Sequence, residues 1–108
     1  MFKIVPRESI WWPVVVKIPR GDGTKKLDEY RFKLNFRLLG RKEMEDLEND
    51  ADKDISDFIL DWDGVADQDG EPLPFNSDNL DRLMDDIHIV RGIARAFREL
   101  QIGADSKN

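Results

Sequence analysis

Residues 29–39 read EYRFKLNFRLL. Tyr30, Phe32, Leu34, Phe36 and Leu38 alternate with Arg31, Lys33, Asn35 and Arg37. A strict period of two sends successive side chains to opposite faces of a strand, so one face here is apolar and the other cationic. Such a strand needs a partner, and one lies just upstream. In WWPVVVKI, residues 11–18, Trp12, Val14, Val16 and Ile18 share one face, while Trp11, Val15 and Lys17 share the other. Pro13 has no N–H for a ladder, so this strand is expected at a sheet edge or beginning at Val14. PRGDGTKK, residues 19–26, separates the two runs, and its glycines supply the positive φ of a turn. Its Arg-Gly-Asp is the tripeptide of cell adhesion, but here it reads as turn composition. Residues 14–38 are therefore expected to form an antiparallel β-hairpin.

Downstream the period changes to 3.6. RKEMEDLEND, residues 41–50, offers only Met44 and Leu47 as apolar anchors and predicts a short, exposed helix. Ile55, Phe58, Ile59 and Trp62 fall at i, i+3, i+4 and i+7, which predicts a second helix with Asp54, Asp57 and Asp61 off its stripe. Asn76 or Ser77 is placed to cap a third, with Asp78 in its first turn and Leu80, Leu83, Met84 and Ile87 along its stripe. Val90, Ile93, Ala94, Phe97 and Leu100 predict a last helix with Arg91, Arg95 and Arg98 outside, ended by Gly103. The expectation is an α+β domain, an N-terminal antiparallel β-hairpin followed by three to four helices, over residues 1–102. Residues 103–108 read as a frayed tail.

The chain has 108 residues, enough for one domain with one core. It has no cysteine, which excludes disulfides, thiolate catalysis and structural zinc fingers and fits a reducing compartment. The opening MFKIVPRESIWWPVVVKIPR shows no apolar run of signal-peptide form, so neither routine export nor membrane insertion is expected. Charge is uneven. Residues 1–42 carry a net +7, residues 43–86 a net −15 and residues 87–108 a net +2. So acidic a block repels nucleic acid and attracts basic protein surfaces, including the basic part of a second copy. Its plainer reading is a solvated acidic helix surface balanced by the hairpin beside it.

Catalytic chemistry finds little support. His88 is the sole histidine and sits in DDIHIVRG, at a helix junction. Ser9, Ser56, Ser77 and Ser106 have no histidine nearby in sequence and no nucleophile-elbow motif. GDGTKK lacks the spacing of a phosphate-binding loop. Calcium-loop registers fail as well. Starting at Asp50, Asp52 and Asp54 fall correctly, but Ile55 occupies the glycine position; starts at Asp61 or Asp63 place Val65 at a ligand position. No metal, cofactor or catalytic residue is assigned.

ILDWDGVADQDGEPLPF, residues 59–75, then reads as a structural loop. Trp62 ends the apolar stripe, Gly64 stops the helix, and Asp69-Gly70 suits a tight turn. Pro72 and Pro74 stiffen the return, and Phe75 stands where a hydrophobic staple precedes a cap. Two aromatic ends are expected to pin the loop to the core.

This loop resembles one in phage tail assembly chaperones, small proteins of long-tailed bacteriophages. The resemblance lies in Trp62-Asp63-Gly64-Val65, then Asp69-Gly70-Glu71-Pro72-Leu73-Pro74-Phe75, then a capped helix. It extends to YRFKLNFRLLGRKEMEDL and LMDDIHIVRGIARAFREL, roughly residues 14–100. Trp11-Trp12 and the DDIH break depart from the pattern. The resemblance implies a protein without enzymatic activity that binds the tape-measure protein and keeps it soluble while major tail protein polymerises around it. It implies action in the host bacterial cytoplasm and absence from the mature virion. It also implies that a frameshifted longer form is common. Trp11, Trp12 and Val15 are the candidate partner-binding residues, forming a groove near the first strand for an amphipathic helical segment. Major tail protein and self-association are further expected contacts; nucleic acid and membrane are not. The alternative is an acidic nucleic-acid mimic that blocks a host DNA-binding protein. A small enzyme is disfavoured for want of an acid–base or nucleophile set.

Overall fold

A computed structural model describes residues 1–4, 8–49 and 54–103. Strands β1 (Ser9–Pro19) and β2 (Leu27–Arg37) form the expected hairpin. Helix α1 (Arg41–Asn49) follows, then a 3-10 turn (Ile55–Phe58), strand β3 (Ile59–Asp63), and helices α2 (Ser77–Leu83) and α3 (Ile87–Ile102). The architecture is α+β, with an antiparallel three-stranded sheet in the order β1-β2-β3. Pro13 is accommodated because β1 is an edge strand, and the strand runs through it from Ser9.

One face of the sheet carries the core. Val14, Leu34, Phe36 and Ile93 are fully buried, and Val16, Phe58, Ile59, Trp62, Ala96, Phe97 and Leu100 nearly so. The Phe97 ring of α3 meets Phe36 edge-on at 5.6 Å and stacks on Phe58 at 6.0 Å. Gln101 clasps the end of β2 to α3: its Oε1 accepts from the Leu39 N–H at 3.1 Å, and its Nε2 donates to the Arg37 carbonyl at 3.3 Å. At the far end the hairpin outruns the core. Tyr30, expected inward, is 53% exposed.

The predicted helix over 55–62 is a correction. Asp54 caps a single 3-10 turn through a capping box with Asp57, and the chain then extends into β3. Leu34 pairs with Trp62, Asn35 with Asp61 and Phe36 with Ile59, so Leu60 is an extra residue, a β-bulge. The bulge puts Ile59 and Trp62, three apart, on the same buried side, which mimics helical spacing. Gly64 therefore ends a strand rather than a helix, at φ +88°. The α2 stripe stops at Met84. Ile87 begins α3 and is 56% exposed. Asn76 is the cap of α2, its Oδ1 accepting from the Asn79 N–H at 2.8 Å, and Gly103 closes α3 at φ +64°. Residues 104–108 of the predicted tail, like Asp50 and Asp52, lie outside the described residues.

Arg37 also departs from expectation. Its guanidinium donates to Glu43 Oε2 at 2.6 Å and lies 4.9 Å from the centre of the Phe58 ring. The hydrogen bond to Glu43 raises its pKa above the ordinary arginine value.

Candidate functional site

The sheet face away from the core is laid out in rungs. Trp11, Asn35 and Asp61 form one, and Pro13, Lys33 and Asp63 the next; Val15 pairs with Arg31 and Lys17 with Glu29. Trp11 is 45% exposed and shares a shallow depression with Lys33, Trp62 and Asp63. Between Trp11 and Asp61, Asn35 Oδ1 is shielded from solvent and accepts no hydrogen bond. This face mixes one exposed aromatic with charges of both signs.

The three candidate partner-binding residues are not brought together. Trp11 lies on the open face. Trp12 pairs with Leu34 and packs, half-buried, against the core on the opposite face from Trp11. Val15 is half-buried where β1 meets α3: a Cβ placed on Gly92 falls 2.6 Å from the Val15 carbonyl oxygen.

The 59–75 loop is a small ladder of its own. The Leu73 N–H donates to the Val65 carbonyl at 3.0 Å, and the Asp67 N–H to the Glu71 carbonyl at 2.9 Å. Asp67 holds the tip, its Oδ1 accepting from the N–H groups of Asp69 at 2.9 Å and Glu71 at 3.1 Å. Gly70 takes φ +84° there. At the base, the Trp62 indole Nε1–H donates to the Leu73 carbonyl at 2.7 Å, and its ring meets Phe75 edge-on at 5.1 Å. The Pro74 carbonyl accepts from Asn79 Nδ2 at 2.8 Å, tying the loop's exit to α2. Pro72 forms an isolated bridge with Ala66. Among the described residues, no three His, Asp or Glu side chains are grouped as a metal ion would require.

Two surface features were not foreseen. An apolar groove of about 470 Å³ lies between α1, the 3-10 turn and α3, lined by Met44, Leu47, Ile55, Ala94, Phe97 and Ile102, with Glu48, Asp54 and Arg98 on its rim. A cationic cleft lies where α3 crosses β1, lined by Lys17, His88, Arg91 and Arg95. The sequence signal for the second was Gly92, a glycine inside a helical pattern. Such a residue often marks close packing. His88, the one titratable candidate for catalysis, lines this cleft without a serine beside it, and its backbone N–H donates to the Asp86 cap at 2.8 Å.

No known protein family, curated protein or solved structure matches the chain. No helix among the described residues is long and apolar enough to cross a membrane.

Proposed function

We propose that this chain is a non-enzymatic tail assembly chaperone of a long-tailed bacteriophage, which binds the tape-measure protein and keeps it soluble during tail assembly in the host cytoplasm. The observation that carries this is the run Trp62-Asp63-Gly64-Val65 … Asp69-Gly70-Glu71-Pro72-Leu73-Pro74-Phe75, which resembles such chaperones. Its geometry supports a structural role for those residues: Trp62, Gly70 and Phe75 shape and anchor the loop rather than present reactive groups. A holder of long apolar-striped helices needs apolar surface for contact and charge for solubility. Exposed Trp11, the groove at Met44, Leu47, Ile55 and Phe97, and a net charge of −6 provide both.

The test is co-expression with the tape-measure protein encoded by the same phage. The expected result is soluble tape-measure protein that co-purifies with this chain. If the tape-measure protein stays insoluble and nothing co-purifies, the assignment fails.

The nucleic-acid-mimic alternative draws on the acidic block of residues 43–86, in which Glu43 and Glu45 already pair with Arg37 and Arg41. A mimic needs an uninterrupted acidic face, and Lys33 stands opposite Asp63 on the sheet. Competition with DNA for a host DNA-binding protein distinguishes the two readings.

A further inference from the structure

The fold separates opposite charges that form no ion pair with one another among the described residues. Where α3 approaches β1 at Gly92, Lys17, His88, Arg91 and Arg95 line a cleft of about 340 Å³, with Val15 and Leu27 as its apolar walls. The ion pairs among the described residues are Arg20–Asp28, Arg31–Glu29, Arg37–Glu43 and Arg41–Glu45. None includes Lys17, Arg91 or Arg95. The adjoining stretch of the cleft brings in Glu29 and Glu99, but Arg31 already holds Glu29 at 2.8 Å. The cleft is therefore a concentration of cations in a chain of net charge −6.

The acids sit on the other side. No Lys or Arg occurs between residues 54 and 81. Within that span the 63–71 turn exposes Asp63, Asp69 and Glu71, while Asp67 is engaged by the turn's own N–H groups. Strand β1, which carries the cleft, and strand β3, which leads into the turn, are opposite edges of one sheet. The turn and the cleft thus lie on either side of β2, and no ion pair joins them among the described residues. The turn is narrow, braced by the Val65–Leu73 and Asp67–Glu71 hydrogen bonds, and carries its carboxylates at the tip. Little ordering cost attaches to its docking.

We propose that the cleft of Lys17, His88, Arg91 and Arg95 takes the acidic 63–71 turn of a second copy of this chain. Guanidinium groups of Arg91 and Arg95 donate to the carboxylates of Asp69 and Glu71, the pairing in which arginine is strongest. Because donor and acceptor patches differ, the contact is head-to-tail and propagates into rings or open chains rather than stopping at a two-fold dimer. The contact does not depend on whether the chain binds a tape-measure protein.

Sedimentation velocity over a concentration series tests it, first at about 0.01 M salt, where charges act over about 30 Å, and then near 1 M, where they act over about 3 Å. The wild type is expected to form species larger than one chain at low salt and to revert to one chain at high salt. Arg91→Glu/Arg95→Glu and Asp69→Lys/Glu71→Lys, each shown by circular dichroism to fold, are each expected to remain single chains. Their equimolar mixture restores opposite charge at both contacts, the native turn on the native cleft and the reversed turn on the reversed cleft, and is expected to associate again. A wild type that stays monomeric at low salt overturns the proposal. So does self-association that survives either reversal, or a mixture that fails to pair. Binding of a random single-stranded oligonucleotide that is lost on Arg91→Glu/Arg95→Glu, without self-association, assigns the cleft to a polyanion and likewise overturns it.

Discussion

Gly92 of helix α3 and Val15 of strand β1 meet backbone to backbone: a Cβ on residue 92 would stand 2.6 Å from the Val15 carbonyl oxygen and 2.6 Å from Val16 Cγ1. The helix packs on the edge strand at a distance that only glycine permits. Gly92→Ala is therefore expected to destabilise, even though alanine in an unconstrained helix interior gains about 1 kcal/mol over glycine. Driving α3 off β1 is expected to cost about 1–3 kcal/mol. Urea unfolding measures the balance, and a higher midpoint for Gly92→Ala would show that the helix has room to spare.

Neighbouring residues on β2 are expected to differ by several-fold. Phe36 is fully buried and meets the Phe97 ring edge-on. Phe36→Ala is expected to cost ~3–5 kcal/mol. Arg37 faces the other way but is not idle, since it pairs with Glu43 and lies over Phe58. Its loss is expected to cost about 1 kcal/mol, the scale of one partly exposed ion pair with a cation–π contact. Equal urea midpoints for the two alanine variants would reverse the assignment of faces.

How far these elements were legible depends on what each pattern reports. The alternation in residues 29–39 and 11–18 reports which side chains share a face, and the pairing Trp12–Leu34 and Val14–Phe32 follows it. Spacing within residues 55–62 reports only that Phe58, Ile59 and Trp62 are buried. A helix and a bulged strand both place Ile59 and Trp62 on one side, and the bulge at Leu60 depends on pairing with β2, a long-range event. Tyr30 obeyed the alternation yet is exposed, although Val16 opposite it on β1 is buried, because burial also requires a covering element. The loop's turn chemistry at Asp69-Gly70 and its aromatic base at Trp62 and Phe75 were local features and readable as such. The cationic cleft was not, since it joins residues 17 and 91–95 through the packing of α3 on β1.

The Trp62 indole is expected to lock the 59–75 loop. Its Nε1–H is the donor to the Leu73 carbonyl, and Trp62→Phe removes that donor while keeping an aromatic ring beside Phe75. Losing the bond is expected to cost about 1–3 kcal/mol. It is also expected to loosen the ladder, so that limited proteolysis cuts within residues 64–75 sooner than in the wild type. An unchanged cleavage rate would place the lock elsewhere, in the Asn79 bond to Pro74.

The loop's carboxylates are expected to bind no metal specifically. Asp67 is committed to the turn's own N–H groups, while Asp61 and Asp63 lie on β3 opposite Asn35 and Lys33. Calcium binding needs six to eight oxygens converging on one point. Calorimetry with calcium, magnesium and zinc is expected to detect nothing tighter than about millimolar, the range of casual carboxylate binding. A stoichiometric micromolar site abolished by Asp63→Asn would contradict this.

The partner surface of the proposed chaperone is separable by single substitutions. Trp11 is exposed and outside the core, so Trp11→Ser is expected to leave the urea midpoint within ~0.5 kcal/mol of wild type. Val15→Ser is a poorer probe, because Val15 is half-buried and lines the cleft beside α3 rather than the open depression at Trp11. The second apolar surface, between α1 and α3, is reached through Ile102, which is 64% exposed. A helical segment laid by its apolar face along either surface loses an anchor when the matching residue becomes serine. Loss of tape-measure solubility on Trp11→Ser but not on Ile102→Ser would locate the contact on the open sheet face, as proposed from WWPVVV. The opposite result would move it to the groove at Met44, Leu47 and Phe97. Full solubility with both single variants and with Trp11→Ser/Ile102→Ser combined would leave the chaperone assignment standing and exclude both surfaces.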